Sequence, residues 1–258
     1  MMDLTKEILD VAVEEKMKPK DLDWVHVNVG GEGTGKSALA LEMAEYVDPE
    51  FSVDQIVFSA EEFISTATSL DPFQAIVLDE GIDALYSRNA MKKENKQLIQ
   101  FLRQCRELNL FIIINMPSWR EMDKSIRYNR TKTVGRAVSQ GWAHFYRSDS
   151  IGDITYDSNS GMKWPDPDWK DAWPNPTEKE LWKEYKKKKK EKIKGLKDKY
   201  LGEEKDEGKL LSPSKFAEKV GVSRQTINNW CKKDKIEYKT LFNGNKRIPE
   251  SEVDKVIS

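Results

Sequence analysis

The sequence predicts an α/β fold, a mainly parallel sheet flanked by helices, followed by a small C-terminal winged helix–turn–helix domain. Three observations carry this expectation. Short β-rich runs alternate with helical stretches through the first 150 residues. Two of those runs, Ala75–Leu78 and Phe111–Ile114, are apolar on both faces, as strands buried in a parallel sheet are. Beyond a charged linker, the last residues from 210 onward carry helix caps and apolar positions of their own.

The elements follow in order. Leu4 to Met17 has apolar residues at helical spacing and reads as a leading helix. Trp24–Val29 alternates as a strand does, and glycines then lead into a helix over Ser37–Tyr46. Gln55–Ser59 is a second strand, with a helix over Ala60–Thr68; Ala75–Leu78 is the third. A long amphipathic stretch, Lys92–Leu108, precedes the fourth strand, and further β signals lie at Lys132–Val138 and Trp142–Arg147. Residues 151–176 hold four prolines and Trp164, Trp169 and Trp173 without clear periodicity; so aromatic a segment is expected to pack across the first domain. Glu178–Leu201 reads as a polar helix whose lysine run, Lys186 to Lys190, is open to phosphate binding but is expected to be a solvated face, and Gly202–Gly208 is a charged linker. The expected division is 1–150, 151–209 and 210–258.

Composition excludes some classes. Of 258 residues 38% are hydrophobic and 34% charged, which suits a chain with a packed core. The longest apolar stretch, around Leu110 to Ile114, is far short of the roughly 20 residues that span a bilayer. Met1 to Lys20 is charged throughout, unlike a signal peptide, and Cys105 and Cys231 lack ligand or disulfide spacing, so a reducing, cytoplasmic setting is expected. The net charge of −1 averages a lysine-rich block against the acidic cluster Glu203–Glu207 and decides nothing about nucleic acid.

The chemistry concentrates in one loop. Gly30-Gly31-Glu32-Gly33-Thr34-Gly35-Lys36-Ser37 fits G-x-x-x-x-G-K-[ST], with a strand before it and a helix, opening with Ala38, after it. Glycines there let successive backbone N–H groups turn toward phosphate oxygens, at the positive end of the helix. Lys36 is placed to reach the β- and γ-phosphates of ATP, and the Ser37 hydroxyl to ligate Mg2+. Gly30, Gly31, Glu32, Gly33, Thr34, Gly35, Lys36, Ser37 and Ala38 are therefore the expected nucleotide-binding residues.

The strand Ile76-Val77-Leu78 ends in Asp79-Glu80. Asp79 is expected to hold the metal with Ser37, and Glu80 to orient or deprotonate the attacking water. Asn115, at the end of the fourth strand, either senses the terminal phosphate and holds the water or is a turn residue before Pro117. Arg103 and Arg106 share a helix face; one of them is either a transition-state cation, for its own nucleotide or a neighbour's, or part of a solvated basic face. Arg127, Arg130 and Arg136 flank the fifth strand and are open to a finger or a DNA-channel role.

With these motifs, the run from Arg106 through Leu110-Phe111-Ile112-Ile113-Ile114-Asn115-Met116-Pro117 to Ile126-Arg127-Tyr128-Asn129 resembles the sensor region of the FtsK–HerA superfamily of DNA-pumping ATPases, especially compact packaging-type and Zot-like members of viruses and plasmids. The similarity covers about Trp24 to Arg147. It implies a homo-oligomeric ring moving on double-stranded DNA, with Arg106 the best-matched finger. Two departures stand: Asn115 lies where the family usually has Gln, and the domain is short.

Ser212 to Trp230 reads as helix–turn–helix, with Ser212 and Ser223 as caps, Pro213 at a first helical position and Gly221 in the turn. Phe216, Ala217, Val220, Ile227 and Trp230 form the inner face; Ser223, Arg224, Gln225, Asn228 and Asn229 are the expected DNA contacts. Asn243-Gly244 is a hairpin turn signal, and Lys246 and Arg247 on the hairpin would meet phosphates. This region, Leu211 to Ile257, resembles excisionase/MerR-like domains; a helical protein–protein module is the alternative. The leading expectation is an ATP-driven motor or packaging ATPase on DNA. The alternatives are an ATP switch in replication or partition, and a nucleotide-sensing DNA-binding regulator without turnover.

Overall fold

The computed structural model describes residues 2–79, 85, 93–174, 176–201, 210–233, 235–240 and 246–257. These fall into two units, Met1–Lys190 and Glu191–Ser258.

In the first unit, α1 (Asp3–Asp10) runs on into a π-helical stretch, Val11–Met17. Then come β1 (Trp24–Val29), α2 (Lys36–Val47), β2 (Ile56–Val57), α3 (Ala60–Ala67) and β3 (Ala75–Leu78). After these lie α4 (Lys93–Gln104), β4 (Phe111–Met116), α5 (Lys124–Asn129), β5 (Thr131–Ser139) and β6 (Trp142–Arg147). The sheet has seven strands in the order β2-β3-β4-β1-β5-β6-β9, where β9 is Trp169–Ala172. Its first five strands are mutually parallel, and β6 and β9 close the edge antiparallel. This is the α/β, mainly parallel architecture the sequence predicts.

Strand alternation explains both the core and the site. Val25, Val27 and Val29 join Ile76, Leu78, Ile112 and Ile114 in one apolar layer, under α3 and α4. The other face of the sheet carries Ala75, Val77, Phe111 and Ile113 beneath α2. Continuing that second face by steps of two gives Asp79 after Val77, Asn115 after Ile113, and His26 and Asn28 after Trp24. Polar groups therefore line up on adjacent strands at one buried level. Helix α2 is nearly apolar all round because it is enclosed: Ala38, Leu39, Ala40, Leu41, Met43 and Ala44 are all buried.

Residues 151–190 belong to the first unit. Trp169, Trp173, Leu181 and Tyr185 are buried with α2, and the backbone of β9 pairs with β6. Thr5 on α1 ties to this strand, its N–H and hydroxyl donating to the Asp171 carboxylate at 2.9 and 2.8 Å. Helix α7 (Glu180–Leu201) follows.

In the second unit, α8 (Pro213–Val220) and α9 (Arg224–Lys232) are joined by a short turn. Ser212 and Ser223 accept from the N–H groups of Lys215 and Thr226, as N-caps do. Strand β12 (Lys246–Pro249) pairs antiparallel with β10 (Leu210–Leu211) and β11 (Lys239–Thr240). Phe216, Ala217, Ile227 and Ile248 are the centre of its small core. The Asn243-Gly244 turn lies outside the described residues, although the strands on either side of it pair.

Candidate nucleotide site

The loop after β1 wraps the start of α2. Gly35, just before the helix, has φ +89°, a conformation that side chains strain to adopt. A Cβ there would also lie 3.0 Å from the Trp173 indole, which packs on the loop. The Lys36 ammonium donates to the carbonyls of Gly30 and Gly31, 2.7 Å each, curling the loop around its own lysine. Burial pulls the Lys36 pKa below the ordinary lysine value, against the attraction of Asp79.

Ser37 and Asp79 meet: the Ser37 hydroxyl donates to Asp79 Oδ1 at 3.1 Å. Asn115 Nδ2 donates to the same oxygen at 2.9 Å. Oδ2 accepts from Tyr185 at 2.7 Å and from Lys189 at 3.2 Å. Burial by itself would raise the Asp79 pKa, but the Lys189 charge and the bonds from Asn115, Tyr185 and Lys189 prevail and hold it below the usual carboxylate value. Two hard oxygen donors this close, one an ionised carboxylate, suit Mg2+, which takes one or two protein ligands alongside phosphates and water.

Behind Asn115 lies a buried chain of hydrogen bonds whose direction is forced. The Asp79 carboxylate only accepts, so Asn115 turns Nδ2 toward it and Oδ1 away, to receive Asn28 Nδ2 at 3.1 Å. Asn28 Oδ1 therefore faces His26 Nε2 at 2.9 Å, and that nitrogen must carry the proton. His26 Nδ1 is left to accept from the Thr133 hydroxyl at 2.7 Å, whose oxygen accepts from Trp24 Nε1 at 3.1 Å. Each donor points toward Asp79. Strand pairing sets the spacing, because Asn28 lies opposite Asn115 and His26 opposite Thr133. Gly135 makes the room: a Cβ there would sit 2.6 Å from Asn28 Oδ1.

Burial lowers the His26 pKa to about 4 despite the bond to Asn28, consistent with a neutral ring. We expect the His26 imidazole to stay neutral from pH 8 down to about 5, read by NMR titration. A midpoint near the ordinary 6.5 would contradict a ring kept neutral by burial.

Together these groups line a cavity of about 1280 Å³, with Lys36, Ser37, Asp79 and Asn115 on its floor and Trp173 and Lys189 on its walls. Glu80 lies outside the described residues. Asn115 is inside β4, which extends to Met116, and is not a residue of the turn before Pro117.

Arg106 is placed elsewhere. It is exposed in a 3-10 turn, Cys105–Leu108, at the start of β4, whereas the phosphate loop leaves the far end of the parallel neighbour β1. Roughly 20 Å of strand separates those ends, so Arg106 stands at the opposite end of the strand pair from the phosphate loop. Arg103 Nε bonds Ser125 at 3.1 Å. Arg130 is a structural group, donating to the Leu102 carbonyl at 2.6 Å and paired with the buried Asp23. Arg136 lies over the Trp164 ring, and Arg127 is buried beside Tyr128.

The lysine run is not uniformly solvated. Lys188 donates to the Val53 carbonyl at 2.8 Å, and Lys189 reaches Asp79. Sequence reading also passed over the polar chain, whose signal is legible in hindsight: Trp24-Val-His26-Val-Asn28-Val alternates polar residues into a strand that is buried on both faces.

In the second unit Ser223, Arg224, Gln225 and Asn229 are exposed and Asn228 is half-buried. Lys246 sits 4.0 Å over the Tyr238 ring, and Arg247 Nη1 bonds the Lys246 carbonyl at 3.2 Å.

A parallel sheet, a glycine loop leading from β1 into α2, and a carboxylate on a neighbouring strand bonded to the loop's serine define the class: the chain has the fold of a P-loop nucleotide-binding protein. No family model matches it, and no curated protein does. Among solved structures, it is similar to the N-terminal domain of zonular occludens toxin from Neisseria meningitidis, at 12% identity and TM-score 0.40, over 63% of this chain and 98% of that one. The FIGL-1 AAA domain in complex with ADP aligns at 13% identity and TM-score 0.37, over 53% of this chain and 52% of that one. The Thermotoga maritima RuvB branch migration motor aligns at 19% identity and TM-score 0.32, over 49% and 42%. The chain thus spans about half the length of the FIGL-1 domain and less of RuvB. Among the described residues, no helix is long and apolar enough to cross a membrane.

Proposed function

We propose that this chain is a magnesium-dependent ATPase that acts on double-stranded DNA, as a ring-forming motor or packaging ATPase of a virus or plasmid. One observation carries the ATPase reading: Asp79 Oδ1 receives the Ser37 hydroxyl from the phosphate loop and the Asn115 amide from the next strand. That junction is where a metal–triphosphate is held and a terminal phosphate is sensed.

The proposed roles combine the sequence motifs with the geometry of the loop and strands. Backbone N–H groups of residues 30–37 cradle the phosphates, and Lys36 leaves the loop carbonyls for the β- and γ-phosphate oxygens. Ser37 and Asp79 hold Mg2+, which when bound neutralises phosphate charge. Asn115, fixed in orientation by Asn28 and His26, offers its amide to the terminal phosphate or the attacking water. Glu80 activates that water. Arg106 serves a neighbouring subunit's nucleotide, which requires an oligomer.

The DNA part of the proposal is supported by the exposed Ser223, Arg224, Gln225 and Asn229 of the second helix of the C-terminal unit and its cap, and Asn228, Lys246 and Arg247 are proposed to contact the duplex with them. Arg224→Ala is expected to weaken duplex binding about tenfold and leave basal hydrolysis unchanged, checked by fluorescence anisotropy at fixed salt. Steady-state ATP hydrolysis with and without duplex DNA, alongside a mass measurement of assembly, tests the motor. Strong stimulation by a DNA-bound oligomer supports it; turnover indifferent to DNA favours a switch, and no turnover leaves a sensor.

A further inference from the structure

We propose that Lys189 is a substrate-binding residue of this site: its ammonium, held by Asp79 in the structure, passes to the terminal phosphate of the bound triphosphate. The inference rests on the nucleotide-site reading above and adds to it a residue from a helix outside the strand–loop–helix motif.

The two oxygens of Asp79 face different neighbours. Oδ1 faces the phosphate loop, through Ser37, whereas Oδ2 faces α7, through Tyr185 and Lys189. Tyr185 and Lys189 are four apart, on one helix face, and bond each other at 3.1 Å. The helix that presents them is anchored at the site. Tyr185 is fully buried and stacks with Phe58, and Lys188 holds the Val53 carbonyl. Lys189 is thus delivered to the metal-binding carboxylate by packed structure, while its side chain stays about a quarter exposed and able to move.

Charge then decides where it goes. Lys189 lies close enough to Lys36 for the two ammonium groups to oppose each other, and a polyanion between them relieves that repulsion. With Asp79 serving as a metal ligand, Lys189 would give up part of its hold on that carboxylate. Lys189 lines the same cavity as Lys36 and Ser37, so phosphate oxygens held there would lie within the sweep of its four-carbon side chain.

Among the described residues no arginine lines the cavity; its cations are Lys36, Lys186 and Lys189. Lys186 is turned aside over the Trp182 ring, at 4.9 Å. Lys189 would thus bring a cation of the same chain to the terminal phosphate, beside any that a neighbouring subunit supplies.

The test is equilibrium binding of ATP and of ADP, each with Mg2+, to the full chain by titration calorimetry, comparing the parent with Lys189→Met and Lys189→Arg. Lys189→Met is expected to weaken ATP about tenfold or more, and ADP by less than about twofold, with Lys189→Arg restoring most of the loss. Lys189→Met binding ATP as well as or better than the parent would overturn the proposal, and so would equal losses for ATP and ADP, which mark a merely structural prop. A parent chain that binds neither nucleotide defeats the nucleotide-site reading itself, and this inference with it.

Discussion

Lys36→Ala is expected to lower the affinity for Mg·ATP by about 100-fold or more, measured by calorimetric titration on a chain whose circular dichroism matches the parent. Two losses combine. The substituted loop has no ammonium to meet the β- and γ-phosphates, and it also loses the bonds that Lys36 makes to the Gly30 and Gly31 carbonyls. Removing the cation leaves Asp79 facing the triphosphate with less compensating charge, since Asp79 is the strongest attraction felt by Lys36. ADP affinity is expected to fall as well, because the lysine reaches the β-phosphate. This separates Lys36 from Lys189, whose loss should discriminate between the two nucleotides. Parent-like affinity in Lys36→Ala would mean that the loop does not bind phosphate.

Glu80→Gln is expected to do the opposite: ATP affinity within about threefold of the parent, but turnover reduced by about 100-fold to 10,000-fold, the range that a positioned general base contributes. Gln keeps the size of the side chain and its capacity to hydrogen-bond water, but cannot take a proton. Asp79 is engaged with Ser37 and Asn115 at the expected metal position, and the adjacent carboxylate in sequence, Glu80, is assigned the water. Parallel measurements of binding and steady-state hydrolysis check this, and hydrolysis at the parent rate would remove Glu80 from the mechanism.

Much of the fold was legible because its signals are local. Trp24–Val29 and Ala75–Leu78 form strands over the residues expected of them, and the caps Ser212 and Ser223 start the two helices of the C-terminal unit as read. The strand at Trp169–Ala172 was not legible. An edge strand holding one buried tryptophan has little period of its own, and it is defined by pairing with β6 and by the Thr5–Asp171 bonds from the other end of the unit. The short helix Lys124–Asn129 was missed for a similar reason: six residues, capped by Asp123, are too few to show a stripe.

In the candidate site, the loop and Asp79 were readable from spacing alone. Tyr185 and Lys189 were hidden inside a lysine-rich helix, because periodicity does not reveal which lysine of a run faces inward. The placing of Arg106 at the opposite end of the strand pair from the phosphate loop was likewise invisible, since it depends on β4 running parallel to β1. The chain from Trp24 to Asp79 crosses four strands, and only their registers bring its members together.

The central claim is that the loop of residues 30–37 binds a triphosphate whose metal lies between Ser37 and Asp79. Titration of the full chain with ATP, in the presence of Mg2+ and again in the presence of a chelator, tests it most directly. The account predicts saturable binding of about one nucleotide per chain, at least about tenfold tighter with Mg2+ than without. Absence of binding at millimolar ATP, or an affinity indifferent to Mg2+, would contradict it.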